Sequence, residues 1–182
     1  MINETINFAC IAHDGQYRKD GITPYISHCA RGCVWVIDYI KYERIVAECA
    51  IWLHDVPEDC TQADGTIRNH NITFKAFTDT LERGDTIYEI VKLLTHNMAI
   101  PKRNRKEDSY RRIMTNAMAC QLKFCDRLDN LSGIARLSPG GQEYYIKDTE
   151  HMIRVFGDVV KDVNIDLYDR MLLNLEGARN AV

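Results

Sequence analysis

Apolar side chains recur at helical spacing along most of the chain, whereas the period-two alternation of half-buried strands is almost absent. In the N-terminal half, this spacing predicts helices over residues 2–17, 25–40, 43–55, 73–82 and 85–96. Thr73 is the predicted N-cap of the fourth of these helices. The pattern predicts an all-α fold.

The C-terminal half continues the helical pattern. Residues 107–137 form one long helical stretch that we expect to be broken once, and residues 143–156 and 158–175 are predicted as two closing helices. Pro139-Gly-Gly141 is predicted as a break between helices. Because no repeat, low-complexity segment or linker interrupts this order, we expect a single domain over residues 1–182.

Composition and charge narrow the possible functions. The 182 residues are 46% hydrophobic and 27% charged, which is typical of a globular domain, and the net charge of −3 provides no overall basic field for nucleic acid. The apolar runs are too short to span a bilayer, and the N-terminus lacks the features of a signal peptide. Seven cysteines without a Cys-x-x-Cys pair indicate reduced thiols. We expect a cytoplasmic protein that binds neither nucleic acid nor membrane, with the oligomeric state left open.

The most informative stretch is the end of the third predicted helix, where an apolar run stops at His54 and Asp55. An adjacent imidazole and carboxylate can reach one metal ion. A stable site needs further ligands, and His28 and Asp126 are the candidates. Taken singly, His28 near a helix start is more often structural and Asp126 could be a surface carboxylate. The apolar residues before Asp126 place it near a buried seam, where an unpaired carboxylate is costly.

Two imidazoles and two carboxylates form a ligand set that suits Mn²⁺, Fe²⁺ or Zn²⁺. Such an ion makes a nucleophile from water at neutral pH. Glu58 and Asp59 follow closely and could orient that water or move its proton. Since Pro57 disfavours helical geometry at Val56, we expect the helix to end or kink there and the two carboxylates to lie on a turn.

These residues resemble the H…HD…D pattern of the HD superfamily of metal-dependent phosphohydrolases. From about Phe8 to about Phe156, the chain further resembles the hydrolase domain of RelA/SpoT enzymes and its stand-alone forms, the small alarmone hydrolases and metazoan SpoT homologues. Five blocks in the same order carry this resemblance: Ala12-His-Asp-Gly-Gln16, Arg18-Lys-Asp-Gly21, Pro24-Tyr-Ile-Ser-His28, Leu53-His-Asp-Val-Pro-Glu-Asp59 and Lys123-Phe-Cys-Asp-Arg-Leu-Asp-Asn130.

The resemblance implies an HD-domain helical bundle that holds one Mn²⁺ ion. The implied reaction removes the 3′-pyrophosphate of ppGpp or pppGpp, giving GDP or GTP and pyrophosphate, as part of the stringent response. It assigns the metal ligands to His28, His54, Asp55 and Asp126. It assigns catalysis to Glu58 and Asp59.

The resemblance also implies a set of nucleotide-binding residues. Arg18 and Lys19 match a basic pair near the guanine and the phosphates, Asn130 matches a nucleotide-contacting asparagine, and Tyr144 matches a nucleotide-packing tyrosine. Lys102 begins a basic run that could neutralise a distal phosphate; the alternative is a solvated basic loop.

Two features depart from the family pattern. Cys60 stands where many relatives have threonine, and Cys29-Ala-Arg-Gly-Cys33 replaces a segment that usually carries a proline and small apolar residues. Both changes leave the predicted ligands intact but bear on the substrate. Two alternatives to alarmone hydrolysis therefore stay open: a phosphohydrolase for another nucleotide, such as an NADPH 2′-phosphatase, and a catalytically silent module that binds a nucleotide or a protein.

Overall fold

The computed structural model describes residues 1–181, which fold into helices joined by loops. The helices are α1 (Ile2–Ala12), α2 (Ile26–Tyr39), α3 (Arg44–Leu53), α4 (Val56–Asp59), α5 (Phe74–Thr78), α6 (Gly84–Leu94), α7 (Arg105–Ile113), α8 (Ala117–Ser132), α9 (Pro139–Val163) and α10 (Ile165–Asn180). Short 3₁₀ helices occupy Lys102–Asn104 and Ile134–Arg136. Within the described residues, β structure is limited to isolated bridges. The predicted all-α class is confirmed.

Helices α3 and α8 form the centre of the bundle. Helix α3 packs against α1, α2, α6 and α8, and α8 also packs against α9 and α10. Small residues permit the close contact between α2 and α3: a Cβ added at Gly32 would lie 3.1 Å from Ile51 Cγ1. Ile51 and Leu53 are fully buried, and each such side chain contributes about 1.5–3 kcal/mol through removal from water. The core therefore fixes the end of α3, where the His-Asp pair lies.

Side-chain caps define where several helices begin. Thr73, Asn116, Ser138 and Asn164 each accept a hydrogen bond from the backbone N–H three residues later. The predicted cap at Thr73 is thus confirmed, and each such cap is worth about 1 kcal/mol. Asn116 also marks the expected break between α7 and α8, but the stretch 107–137 is interrupted a second time, because α8 ends at Ser132 and a separate 3₁₀ helix follows Gly133.

Three predictions in the N-terminal half are wrong: the ends of two helices and the turn expected at Glu58 and Asp59. Helix α1 ends at Ala12 instead of residue 17, because the chain turns at Gly15, whose φ of +72° is left-handed. Helix α5 ends at Thr78, not at residue 82. Glu58 and Asp59 lie on a helical turn, α4, since a proline in the first turn of a helix loses no intrahelical hydrogen bond.

The predicted break at Pro139-Gly-Gly141 is also wrong, because these residues form the first turn of α9. Proline is favoured at the first helical position, and Ser138 caps the turn. Helix α9 then runs through Gly157, where a boundary was expected. A Cβ at Gly157 would lie 3.2 Å from Tyr168 Cε2, so the glycine permits the close approach of α10. Within residues 1–181, no helix is both long enough and apolar enough to cross a membrane.

Gly84, the first residue of α6, provides a test of this packing. An added Cβ would lie 1.8 Å from the backbone oxygen of Thr78, which cannot move away as a side chain could. We therefore expect Gly84→Ala to destabilise the fold by about 3 kcal/mol. Gly177→Ala is the matched control, because Gly177 is exposed on α10 with nothing within 4 Å, and it should stabilise by about 0.5–1 kcal/mol. Urea denaturation measures both changes; equal midpoints for Gly84→Ala and the native chain would contradict the packing.

Candidate functional site

The four predicted metal ligands come from three helices that pack against one another. His28 lies in the first turn of α2, His54 and Asp55 lie between α3 and α4, and Asp126 lies within α8. Helices α2, α3 and α8 are mutual neighbours. The packing therefore brings together side chains that are far apart in the sequence.

The distances between these side chains are short. His28 Nε2 is 3.1 Å from Asp126 Oδ1 and 3.5 Å from Asp55 Oδ2. His54 Nε2 is 2.9 Å from Asp55 Oδ2 and 3.8 Å from Asp126 Oδ1. The ligand atoms of His28, His54 and Asp126 all lie within 4.8 Å of one another. All four predicted ligands thus meet at one point, and they could hold a metal ion.

The hydrogen bonds of the two imidazoles point their Nε2 atoms into this cluster. His54 Nδ1 lies 2.8 Å from the carbonyl oxygen of Ile51, and His28 Nδ1 lies 2.6 Å from Asp129 Oδ2. Both partners are acceptors, so both Nδ1 atoms donate. His54 Nε2 is buried and forms no hydrogen bond among the described residues, despite its closeness to Asp55. A buried ring nitrogen without a hydrogen-bond partner is suited to bind a cation.

The charges of the cluster fit a divalent cation. Burial alone would lower the pKa of His54, but the negative charge of Asp55 and the contact with Asp126 raise it to about 10. Burial would likewise raise the pKa of Asp126, yet Lys123 and the two imidazoles hold it below its usual range. The two carboxylates therefore demand positive charge nearby. A divalent ion supplies that charge, and a set of two imidazoles and two carboxylates suits Mn²⁺, Fe²⁺ or Zn²⁺.

Neighbouring polar groups fix the carboxylates. The Tyr25 hydroxyl donates to Asp55 Oδ2 at 2.7 Å. Lys123 Nζ donates to Asp126 Oδ2 at 2.7 Å, and Asn130 Nδ2 donates to Asp126 Oδ1 at 2.8 Å. Each carboxylate is thus held in one orientation, as the ligands of a metal site need to be.

A cleft of about 460 Å³ opens above the cluster, and His28, Asp55 and Asp126 form part of its wall. Its size falls within the range of small-molecule sites, and its lining includes five basic side chains. They are Arg18, Lys19, Arg31, Lys123 and Arg136, and the lining also contains four carboxylates, those of Asp20, Asp55, Asp126 and Asp129. Three of these carboxylates pair with Arg31, Lys123 and Arg136. Arg18 and Lys19 favour an anionic ligand whose charge extends away from the metal site.

Three of the predicted nucleotide-binding residues line this cleft: Arg18, Lys19 and Asn130. Arg18 Nη2 donates to Asn130 Oδ1 at 2.8 Å, and its guanidinium lies 5.6 Å from the centre of the Tyr25 ring. Lys19 Nζ lies 5.1 Å from the centre of the Tyr145 ring. Since Asn130 also binds Asp126, a continuous set of hydrogen bonds connects Arg18 to a predicted ligand.

The predicted catalytic pair lies beside the cluster but outside the lining of the cleft. Glu58 and Asp59 are exposed on α4, and Glu58 Oε2 accepts a hydrogen bond from the backbone N–H of His96 at 3.1 Å. Although Asp59 is exposed as a residue, desolvation of its carboxyl and the charge of Asp55 raise its pKa to about 6. This carboxyl could therefore exchange a proton near neutral pH.

The other two predicted binding residues lie elsewhere. Lys102 is exposed in a 3₁₀ helix outside the lining of the cleft. Tyr144 is half exposed on α9, and its ring is covered by Lys106, whose Nζ is 4.2 Å from the ring centre. The neighbouring Tyr145, not Tyr144, lines the cleft.

The sequence analysis missed several side chains of the site, including Arg31, Asp129, Lys123 and Tyr145. A signal was available for the first two, because Arg31 follows His28 by three positions and Asp129 follows Asp126 by three positions. Residues at that spacing share one face of a helix. A wider groove of about 1320 Å³, between the end of α2 and the start of α10, contains none of the predicted site residues.

Known proteins are similar to this chain in sequence and in fold. No protein-family model matches the chain. The probable GTP diphosphokinase RSH2, chloroplastic, of Arabidopsis thaliana is 26% identical to this chain over 167 residues. The matched region covers 90% of this chain but 22% of that protein, so the chain spans less than a quarter of its relative's length. A solved structure of a metazoan orthologue of SpoT, described as hydrolysing ppGpp and playing a role in starvation responses, matches with a TM-score of 0.78 and 19% identity over 100% of this chain and 96% of that chain. The fold of this chain is that of the SpoT orthologue, in agreement with the helical fold that the motifs predict.

Metal binding should release protons from the cluster. The carboxylates raise the pKa of His28 and His54 against the effect of burial, and that of His54 reaches about 10, so at pH 7 the His54 ring carries a proton that a metal must displace. We expect Mn²⁺ binding at pH 7 to release about one proton or more. Calorimetric titration in two buffers of different ionisation enthalpy measures this number.

The control for this titration is His151→Ala, which removes a histidine of α9 that is bonded to Glu107. It should leave the proton count unchanged. Mn²⁺ binding without proton release would show that the ion binds elsewhere.

Proposed function

We propose that this protein is a Mn²⁺-dependent hydrolase that removes the 3′-pyrophosphate of guanosine alarmones, converting ppGpp or pppGpp into GDP or GTP and pyrophosphate. One observation carries the proposal: two imidazole Nε2 atoms and two carboxylates converge at the wall of a basic cleft. The fold and motifs of a RelA/SpoT-type hydrolase support the choice of substrate. Such an activity would consume the free alarmone of the stringent response in the cytoplasm.

In this proposal His28, His54, Asp55 and Asp126 hold a single Mn²⁺ ion. When bound, the ion supplies Lewis acidity to the phosphoryl group under attack and to the attacking water. Tyr25, Lys123 and Asn130 keep the two carboxylates oriented toward the ion through the hydrogen bonds described above. The protein thus fixes the geometry before the substrate arrives, which is the main contribution a metal site requires from its scaffold.

Proton handling falls to the carboxylates of α4. Asp59, with a pKa of about 6, is suited to accept a proton from water near neutral pH. Glu58 is held by the backbone of His96 and lies beside Asp59, where it can orient the same water. The attacking water and the carboxylate that accepts its proton would therefore lie next to each other, because Asp55 joins α4 to the metal site.

Substrate binding falls to the basic wall of the cleft. The planar guanidinium of Arg18 can bind a phosphate through two N–H groups or stack on a base, and Lys19 contributes a point charge. Asn130 connects Arg18 to Asp126, so a phosphate bound at Arg18 would lie near the ion. Lys102 and Tyr144 lie outside the lining of the cleft, so their roles toward a distal phosphate and the base stay predictions from the sequence.

The substrate is tested by product analysis of the Mn²⁺-loaded protein with ppGpp, pppGpp and NADPH side by side. We expect GDP or GTP and pyrophosphate from the two alarmones, and little phosphate from NADPH, because the fold and motifs are similar to those of a protein described as hydrolysing ppGpp. Phosphate release from NADPH alone would support metal-dependent phosphate hydrolysis but would identify NADPH, instead of the alarmones, as the substrate. Tight alarmone binding without turnover under any divalent ion would favour a silent binding module.

The division of roles is tested by two substitutions. Asp126→Ala should abolish Mn²⁺ binding and activity together, because it removes a ligand. Glu58→Ala should keep Mn²⁺ affinity while turnover falls by about 10²-fold or more, since it removes only proton handling. The matched control is Glu89→Ala, which removes an exposed glutamate of α6. Loss of Mn²⁺ binding in Glu58→Ala would assign Glu58 to the metal instead.

A further inference from the structure

A buried carboxylate lies directly behind His28. The side chain of Asp129, on α8, is 1% exposed, and its Oδ2 atom is 2.6 Å from His28 Nδ1. An ionised carboxylate only accepts hydrogen bonds, so the proton of this contact is on His28 Nδ1. The lone pair of the neutral ring is then on Nε2, which faces Asp126 and Asp55.

Arg31 holds this carboxylate from the other side. Its Nε atom is 2.5 Å from Asp129 Oδ1 and its Nη2 atom is 3.2 Å from Asp129 Oδ2, while Nη1 donates to Ser27 Oγ at 3.1 Å. This two-point contact fixes both oxygens and compensates the charge of a group that would be costly to bury alone. The Arg31 side chain is 46% exposed and lines the cleft.

The four residues form two matched pairs across the contact between α2 and α8. Each helix provides one predicted ligand and, three positions later on the same face, one supporting residue: His28 with Arg31, and Asp126 with Asp129. The supporting residue of α8 binds the ligand of α2. A shift of one helix along the other would therefore separate His28 from Asp129, its support.

The two histidines of the cluster differ in this respect. His54 Nδ1 donates to the backbone carbonyl of Ile51, an acceptor that the helix itself provides. His28 Nδ1 depends on a side chain 101 positions away in the chain. Orientation of His28 is therefore controlled by a residue that can be substituted, and its carboxylate partner makes the ring a stronger donor to a metal.

We propose that Asp129 is a positioning residue that holds His28 with its proton on Nδ1 and with Nε2 directed at the metal, and that Arg31 fixes Asp129 for this task. The proposal rests on the proposed function in one respect, the assignment of His28 as a ligand. Loss of such a carboxylate partner typically lowers metal affinity by about 10–100-fold. Asp129 would thereby set how tightly the ion is held without touching it.

The experiment is a calorimetric titration of the folded chain with Mn²⁺ at low temperature, comparing Asp129→Asn with a matched control. Asparagine has the same size as aspartate but carries no negative charge, so it is a weaker hydrogen-bond partner for Arg31. We expect the affinity for Mn²⁺ to fall by about 10–100-fold. The control is Asp148→Asn, because Asp148 is equally an Arg-paired buried carboxylate, bonded to Arg127 at 2.6 Å, and should lose stability while keeping Mn²⁺ affinity.

A spectroscopic readout separates positioning from general stability. In the native chain loaded with diamagnetic Zn²⁺, ¹⁵N-edited NMR should show a slowly exchanging Nδ1–H proton on His28, assigned by its absence in His28→Gln. Arg31→Ala should retain this proton, since Asp129 remains, and should weaken Mn²⁺ binding by less than Asp129→Asn does. If Asp129→Asn fails to fold, the NMR of the native chain and the Arg31→Ala titration still decide the question.

The outcomes are distinguishable. A native chain that binds neither Mn²⁺ nor Zn²⁺ would refute the metal site of the proposed function itself. A native chain that binds the ions, with Asp129→Asn binding them equally well, would overturn the positioning role alone. The same conclusion would follow if Asp148→Asn weakened binding as much as Asp129→Asn, or if the His28 proton were on Nε2.

Discussion

The structure depends most on the confinement of negative charge where α2, α3 and α8 meet. Asp55 and Asp126 approach the same two imidazoles within 4 Å, in a place where water is largely excluded. Carboxylates in such surroundings repel each other strongly unless a cation lies between them. Lys123 donates to the outer oxygen of Asp126, Oδ2, whereas Tyr25 and Asn130 donate to the oxygens that also face the imidazoles, Asp55 Oδ2 and Asp126 Oδ1. The packing of the helices thus forms a cluster of carboxylates and imidazoles that could bind a divalent cation.

The cleft continues this charge pattern outward. Its inner wall is acidic, through Asp55 and Asp126, and its outer wall is basic, through Arg18, Lys19 and Arg136. A ligand that carries phosphates at one end and bridges a metal at the other would match both regions. Hydrogen bonds from Arg18 through Asn130 to Asp126 join the two walls, so the position of the ligand's phosphates is coupled to the geometry of the metal site.

Rigidity is distributed unequally around this centre. The buried side of the cluster consists of α3 and α8, in which six of ten and ten of sixteen residues are buried, and its supports there are side chains with satisfied partners. The catalytic carboxylates proposed for α4 lie instead on a one-turn helix at the surface. A fixed metal site beside a more exposed proton acceptor suits a hydrolase, because the ligands need to stay in place while the base has to exchange protons with solvent.

The amino-acid sequence predicted the helical fold class and the position of the candidate site. Helical spacing predicted the all-α class, and the abrupt end of an apolar helix in His54 and Asp55 located the centre of the site before any contact was known. Boundaries were predicted less well. Pro139-Gly-Gly141 was expected to break the helix and instead starts α9, because a proline can serve in a first turn as well as end a helix, and a local pattern does not distinguish the two.

What the sequence by itself determined is the set of groups able to bind a metal and a phosphate. What only the tertiary structure decided is which side chains support them: Asp129 behind His28, 101 positions away, and Arg18 on Asn130, 112 positions away. It also decided that Tyr145, not Tyr144, faces the cleft. The physical reason is that periodicity fixes the face a residue occupies on its own helix. The partner that this face meets depends on how separate helices pack, and that is settled by the shared core.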